Sequence, residues 1–426
     1  MTAAVERQDR AMGLRAAALL FLSFAFAYFF SALLRAVTAT LAPTFSAELE
    51  LQSADLGLLA GAFFLGFSAM QLPLGSGLDR FGPKRVLLVL LSMAVLGCAA
   101  FALATSFAGL VAARALCGVG VSACLMAPMT AFRRRFDARA QMRATSWMLM
   151  TGSLGMVAST LPVQYLLPLV GWRGLFWGLS ALLLLAMLGI ALIVPRDAPV
   201  QPHASEAGGL RAYAAVFRHP SFVRMLPLGL VQYGAMVAVQ SLWAGPWLTQ
   251  VCGWTQGEAA QGLFFINLGM LVAFLSWGLV LPRLYASGWT AQALLKRAMP
   301  ISTGVLLLAL LLGEQASAWA WGLFCVSSTV VSLSQPAVGQ AFPDRLAGRA
   351  LSAFNLVIFS GVFLVQWGIG LALDLMRGWG WSVLAAYRGA FALLALASVL
   401  SYLWFCWRDD GQEALQAHAA GATAHN

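Results

Sequence analysis

The sequence predicts an all-α integral membrane protein of twelve transmembrane helices, arranged as two pseudo-symmetric six-helix halves. Three observations carry that expectation. Hydrophobic residues make up 61% of the chain and charged residues 10%, against roughly half and a quarter in a soluble globular domain, so most of the surface must face lipid or lipid-bathed helices. Long apolar runs recur twelve times, six on each side of one polar segment. A short motif at the head of the sixth run returns at the head of the twelfth.

A helix needs about 20 apolar residues to cross the hydrocarbon core. Runs of that kind fall at 14–42, 54–77, 85–105, 107–132, 143–168 and 172–194, then at 221–248, 258–282, 297–314, 318–341, 349–374 and 385–407. Between the sets, the segment from Pro195 to Pro220 carries Pro, His, Ser, Gly and charge. It reads as a solvated linker, which divides the chain into a first half over 1–194, a linker over 195–220 and a second half over 221–426 with a short tail. Trp172-Arg173-Gly174-Leu175-Phe176 is echoed 215 residues later by Tyr387-Arg388-Gly389-Ala390-Phe391. Duplicated halves of this kind build a binding site at their interface.

Charge sets the orientation. Of the 26 Lys and Arg, only Arg173, Arg377 and Arg388 fall on one side, and Arg35 and Arg114 lie within spans. The rest, including Arg133, Arg134, Arg135, Arg139 and Arg143, gather on the side of both termini, which the positive-inside rule makes cytoplasmic. The net charge of +10 is therefore a topology signal, and a nucleic-acid partner is not expected. The six cysteines are scattered, without metal-ligand or disulfide spacing, and read as small packing residues. The first apolar run is too long for a signal peptide and lacks a convincing cleavage site.

Between the second and third runs lies Gly75-Ser76-Gly77-Leu78-Asp79-Arg80-Phe81-Gly82-Pro83-Lys84-Arg85, a charged, glycine-rich hairpin. It resembles the loop signature of the major facilitator superfamily: Gly, three residues, Asp-Arg, one residue, Gly, one residue and two basic residues. Arg114, followed by Gly118 and Gly120, resembles that family's fourth-helix signature. The resemblance implies the fold of that superfamily and transport by alternating access, with gating by Gly75, Asp79, Arg80, Gly82, Arg85 and Arg114. In the family picture, Asp79 and Arg80 bracket helices in the outward-facing state. The plainer alternative is a charged turn that only fixes topology. The second-half counterpart, Gly278 to Arg283, has Pro282 where an acid would stand, and the antiporter signature of the fifth helix is only partly echoed by Gly152, Gly155 and Pro162. Arg114 is expected near the outer end of the fourth run, where snorkelling is easy. Structural use, gating and a part in proton movement all remain open for it.

Charged side chains at mid-depth cost at least about 2.5–3.5 kcal/mol and need an explanation. Arg35 is the sharpest case, eight residues before Pro43 on the first run. With Tyr28, Ser31 and Thr38 it recurs at spacings of three and four, one polar stripe on an apolar helix that should face the bundle interior. The spacing of Arg35 to Pro43 also resembles the first helix of organophosphate and organic-anion carriers, which implies that Arg35 binds the anionic group of a substrate. Its planar fork suits carboxylate or phosphate, while an Arg bonded to helix carbonyls is the structural alternative. The seventh run offers Tyr233, Gln240, Trp243 and Trp247, with Gln240 near the position equivalent to Arg35. The eighth offers Asn267, and the eleventh Asn355, Phe359 and Gln366. Each amide is either a ligand contact or helix–helix glue.

No Asp, Glu or His falls at the middle of any run, and the four histidines (His203, His219, His418 and His425) lie in the linker and tail. Nothing resembles a catalytic triad, a phosphate-cradling loop or a metal cluster, so neither an enzyme nor an ATP-driven pump is expected, and no cofactor. The expectation is a secondary transporter of a small polar, anionic organic solute, a monomer in the bacterial inner membrane with solute and lipid as partners. An efflux carrier of amphipathic compounds and a non-transporting membrane sensor are the alternatives.

Overall fold

The computed structural model describes residues 14–195 and 209–408. Arg7, Arg10, linker residues 196–208 (with His203), His418 and His425 lie outside the described residues. Every described element is a helix, because a backbone in hydrocarbon has to bond within its own segment.

Ten helices are long and apolar enough to cross a membrane, and an eleventh forms if Ser53–Ala69 and Gln71–Phe81, bent by 43°, count as one span. The remaining traversal is hidden in Leu161–Ile193, where Gly171 interrupts the helix at φ 64° and ψ 171°. Three contacts show the chain reversing there. Ser159 accepts from Thr40 Oγ1 (2.8 Å), about two turns short of the Glu48 end of the first span. Trp172 and Arg173 donate to Glu48 at that span's far end, termed the outer end (both 2.7 Å). Ala191 accepts from Lys84 Nζ at the opposite face (2.7 Å). The positive φ makes glycine the favoured residue for this reversal.

The twelve spans are therefore span 1 (Leu14–Glu48), span 2 (Ser53–Ala69 with Gln71–Phe81), span 3 (Pro83–Leu103) and span 4 (Phe107–Arg135). Span 5 is Ala138–Ala158 with 161–170, and span 6 is 172–193. They continue as span 7 (Pro220–Val251), span 8 (Gln256–Ala286), span 9 (Ala291–Leu312), span 10 (Ala318–Gln340), span 11 (Asp344–Gly378) and span 12 (Val383–Trp407). Loop residues start several of them: Ser106, Asp137, Thr255, Thr290 and Ser382 each accept a first-turn N–H, satisfying a donor the helix leaves free. Span 7 alternates α and π turns around Pro227 and Pro246, and it is buried through nearly all of its outer half. Large apolar side chains left uncovered, among them Leu169, Leu192, Leu279 and Leu311, form the surface that lipid would cover.

Corresponding places in the two sets of spans carry corresponding clasps. Trp172 Nε1 donates to Glu48 at the end of span 1 (2.7 Å), and Tyr387 OH donates to Gln250 at the end of span 7 (3.2 Å). Between the sets, spans 2 and 11 pack along their whole length, closely enough that a Cβ on Gly57 would stand 2.5 Å from the Gln366 carbonyl oxygen. Spans 1 and 7, and spans 5 and 8, make the other seams.

Candidate functional site

Span 1 runs unbroken through Pro43 to Glu48, six residues beyond the end the sequence predicts. Arg35 therefore lies thirteen residues from the outer end, about 20 Å at 1.5 Å per residue, too far for snorkelling to reach water. Its side chain is neither fully buried nor bonded. The guanidinium lies 5.4 Å from the ring centroid of Phe67 on span 2 and 5.8 Å from that of Phe359 on span 11, and Nε is buried without a hydrogen-bond partner. Phe67 and Phe359 approach to 4.5 Å, and Tyr233 meets Phe359 edge-on at 6.2 Å. Arg35 thus stands at the seam between the first six spans and the last six, in an aromatic frame, with no carboxylate opposite it among the described residues. Tyr28 is buried against the backbone of Gly152 on span 5, and Ser31 Oγ is buried without a partner. The stripe expected on span 1 does face the interior.

Arg114 corrects an expectation. It is 1% exposed and does not snorkel. Its Nη2 donates to the Leu34 carbonyl (2.9 Å) and to Thr38 Oγ1, and the guanidinium lies 5.0 Å from the Phe63 ring. Because span 1 extends to Glu48, the outer boundary stands higher than the apolar runs imply, and Arg114 falls level with Thr38 rather than at the rim. Phe63 and Phe67 stack at 6.3 Å, so the two arginines occupy successive turns of one aromatic ladder.

The amides bond to other groups and none of them to Arg35. Gln240 Nε2 donates to Asn267 Oδ1 (2.9 Å), and Asn267 Nδ2 donates to the Leu263 carbonyl (2.9 Å). Gln335 Nε2 donates to Asn355 Oδ1 (2.8 Å). Gln366 is fully buried, donating to Ser241 Oγ (2.9 Å), while its backbone carbonyl accepts from Trp243 Nε1 (3.1 Å). Trp247 is likewise buried, bonded to the Ala316 carbonyl (2.9 Å). These side chains join spans 7, 8, 10 and 11 to one another. Trp243 and Gln366 are accordingly enclosed between helices rather than lining a cavity. Counted back from the two clasps, Val237 holds the place of Arg35, and Gln240 lies about one turn further on.

At the face of Asp79 the expected hairpin shrinks to one joint. Gln71–Phe81 is helical, Gly82 turns at φ 78°, and span 3 begins at once with Pro83. Asp79 and Arg80 are exposed and do not pair with each other, since neighbours in a helix point about 100° apart. Arg80 instead lies 5.1 Å from the Phe81 ring. Arg85 is exposed, Lys84 caps the end of span 6, and Gly75 faces Ser352 of span 11. Sequence reasoning missed Phe67 and the Gln335 contact. Phe63, Phe64 and Phe67 do recur at helical spacing, but nothing in that spacing says which ring meets a charge.

A family model described as Major Facilitator Superfamily matches residues 24–366. Among solved structures, a bacterial homolog to the human lysosomal transporter Spinster, inward-facing and unoccupied, aligns with TM-score 0.71 at 16% identity over 93% of this chain and 98% of that one. A D-xylose–proton symporter aligns with TM-score 0.72 at 15% identity over 91% and 96%. The nucleoside transporter NupG aligns with TM-score 0.71 at 12% identity over 92% and 100%. At such identities the likeness is one of fold. No curated protein is significantly similar to the chain in sequence. Span order, helix content and the family match over most of the chain agree: the protein belongs to the Major Facilitator Superfamily of membrane transporters.

Proposed function

We propose that this transporter moves small organic anions across the cytoplasmic membrane by alternating access, with Arg35 as the contact for the anionic group. The carrying observation is the unpaired guanidinium of Arg35 at the seam, its Nε buried without a partner. A buried, unneutralised cation in a low-dielectric interior favours a negative ligand, and the flanking Phe67, Phe359 and Tyr233 rings suit a solute with a flat or apolar portion. The two six-span halves, 1–194 and 221–426, rock about the seams between spans 1 and 7, 2 and 11, and 5 and 8, with both termini cytoplasmic. Gly75, Asp79, Arg80, Gly82 and Arg85 serve the inner gate.

The test is a thermal-shift screen of organic anions, cations and neutral solutes on the purified protein, repeated with Arg35→Ala. Stabilisation by anions that disappears in the variant supports the reading. Stabilisation by amphipathic cations that ignores Arg35→Ala sinks it and favours an efflux carrier instead.

A further inference from the structure

At the outer ends of spans 2 and 11, one carboxylate ties the two halves together. Asp374 on span 11 accepts from the backbone N–H of Ser53 (Oδ1, 3.0 Å) and of Ala54 (Oδ2, 2.6 Å). These are the first two helical residues of span 2, and a helix leaves such donors without partners of its own. Asp55 takes the N–H of Gln52 (3.2 Å), so the N–H groups that Asp374 caps from across the seam are the next two. A negative charge is also well placed at a helix N-terminus. Gly370, one turn earlier on span 11, lets the Ser53 carbonyl press against its backbone. A cleft of about 490 Å³, lined by Gln52, Ser53, Gln250, Asp374, Arg377 and Tyr387, opens beside the carboxylate. At the opposite end of the same helix pair, Asp79 is exposed and makes no ion pair among the described residues.

We propose that Asp374 is the acid-operated latch of the outer gate. Ionised, it caps span 2 across the seam and holds the outer ends together; a proton arriving through the outer cleft releases them. The role rests on reading the protein as an alternating-access carrier. A carboxylate offers acceptors to both amides, whereas a neutral carboxyl turns one oxygen into a hydroxyl donor and loses the attraction to the helix end. The charged and titratable groups around it are Arg377 on its own helix, Asp55 on span 2 and Tyr387 on span 12; span 7 presents the uncharged Gln250. The sign follows from the bonds: only the carboxylate can accept from both amides, so acid shifts the population toward release.

Spin labels on Thr105→Cys and Gln315→Cys, in exposed loops of the two halves, with Cys252 and Cys406 replaced by alanine, report the gap in nanodiscs without substrate. Between about pH 8 and about pH 4, the range in which carboxylates titrate, the parent protein is expected to pass from a short to a long distance population. Asp374→Asn is expected to show the long population at both pH values. Ser53→Pro removes one of the two donors at the first helical position, where proline is tolerated, and is expected to shift the population partway at the higher pH. It also serves as the test if Asp374→Asn does not fold. A parent distribution that ignores pH overturns the proton switch, and variants as closed as the parent overturn the latch. Neither outcome depends on whether Arg35 binds an anion.

Discussion

Arg35 on span 1 and Phe67 on span 2 meet with the guanidinium 5.4 Å from the ring centroid, and no acid among the described residues completes the contact. A cation resting on a phenyl face gains roughly 0.5–2 kcal/mol, less than the cost of a charge at mid-depth. The guanidinium is therefore under-satisfied as it stands, which is what the proposed anionic solute would relieve.

If Arg35 holds the anionic group of the solute as proposed, its replacement by alanine removes charge-assisted bonds worth about 1.5–3 kcal/mol. Affinity for an anionic ligand, measured calorimetrically, is expected to fall roughly tenfold to a hundredfold. Arg35→Lys keeps the charge but loses the fork, and is expected to lie between parent and alanine.

Arg114 depends on Thr38. Thr38→Val leaves part of a buried guanidinium unbonded and is expected to cost about 1–3 kcal/mol, read as a lower melting temperature in detergent. Arg114→Met removes the charge along with its need, so Thr38→Val should cost much less in that background. An equal cost in both backgrounds would contradict the pairing.

The seam between spans 2 and 11 has no room for a side chain at Gly57, where a Cβ would stand 2.5 Å from the Gln366 carbonyl oxygen. Gly57→Val is expected to force the helices apart, at about 1–3 kcal/mol for an overpacked contact. Cysteine-labelling rates at the outer rim should rise. Unchanged rates would show that the seam yields without opening.

The clasp at the end of span 1 combines an exposed ion pair with a buried indole. The Arg173 and Glu48 side chains are 45% and 43% exposed, so the pair itself contributes about 0–1 kcal/mol. Glu48→Gln is expected to change the melting temperature little. Trp172 packs on Phe45 and Phe101, and Trp172→Ala is expected to cost about 3–5 kcal/mol.

Much of this architecture is legible in the chain because the bilayer imposes simple rules. Apolar length announces a span, and the polar stripe Tyr28, Ser31 and Arg35 announces an inward face. Helix ends are less legible: span 1 passes through Pro43 to Glu48, although the proline lacks the N–H that would bond the Ala39 carbonyl. That shift of about two turns moved Arg114 from the rim to the interior. The amides were identified as polar residues at depth, but a sequence does not show partners. Only packing decided that Gln240 meets Asn267 and that Gln366 is walled in against Gly57.

By itself the sequence determined the class of protein, the number of traversals, the family and the presence of two arginines within spans. Those follow from hydropathy, local motifs and charge, which act residue by residue along a helix. The tertiary structure decided that Arg35 stands unpaired between Phe67 and Phe359 while Arg114 is bonded. It also decided that Asp374 caps a helix more than three hundred residues away in the chain. Contacts across a seam depend on how two helices approach, and that distance is set by glycines and ring faces whose partners no local pattern names.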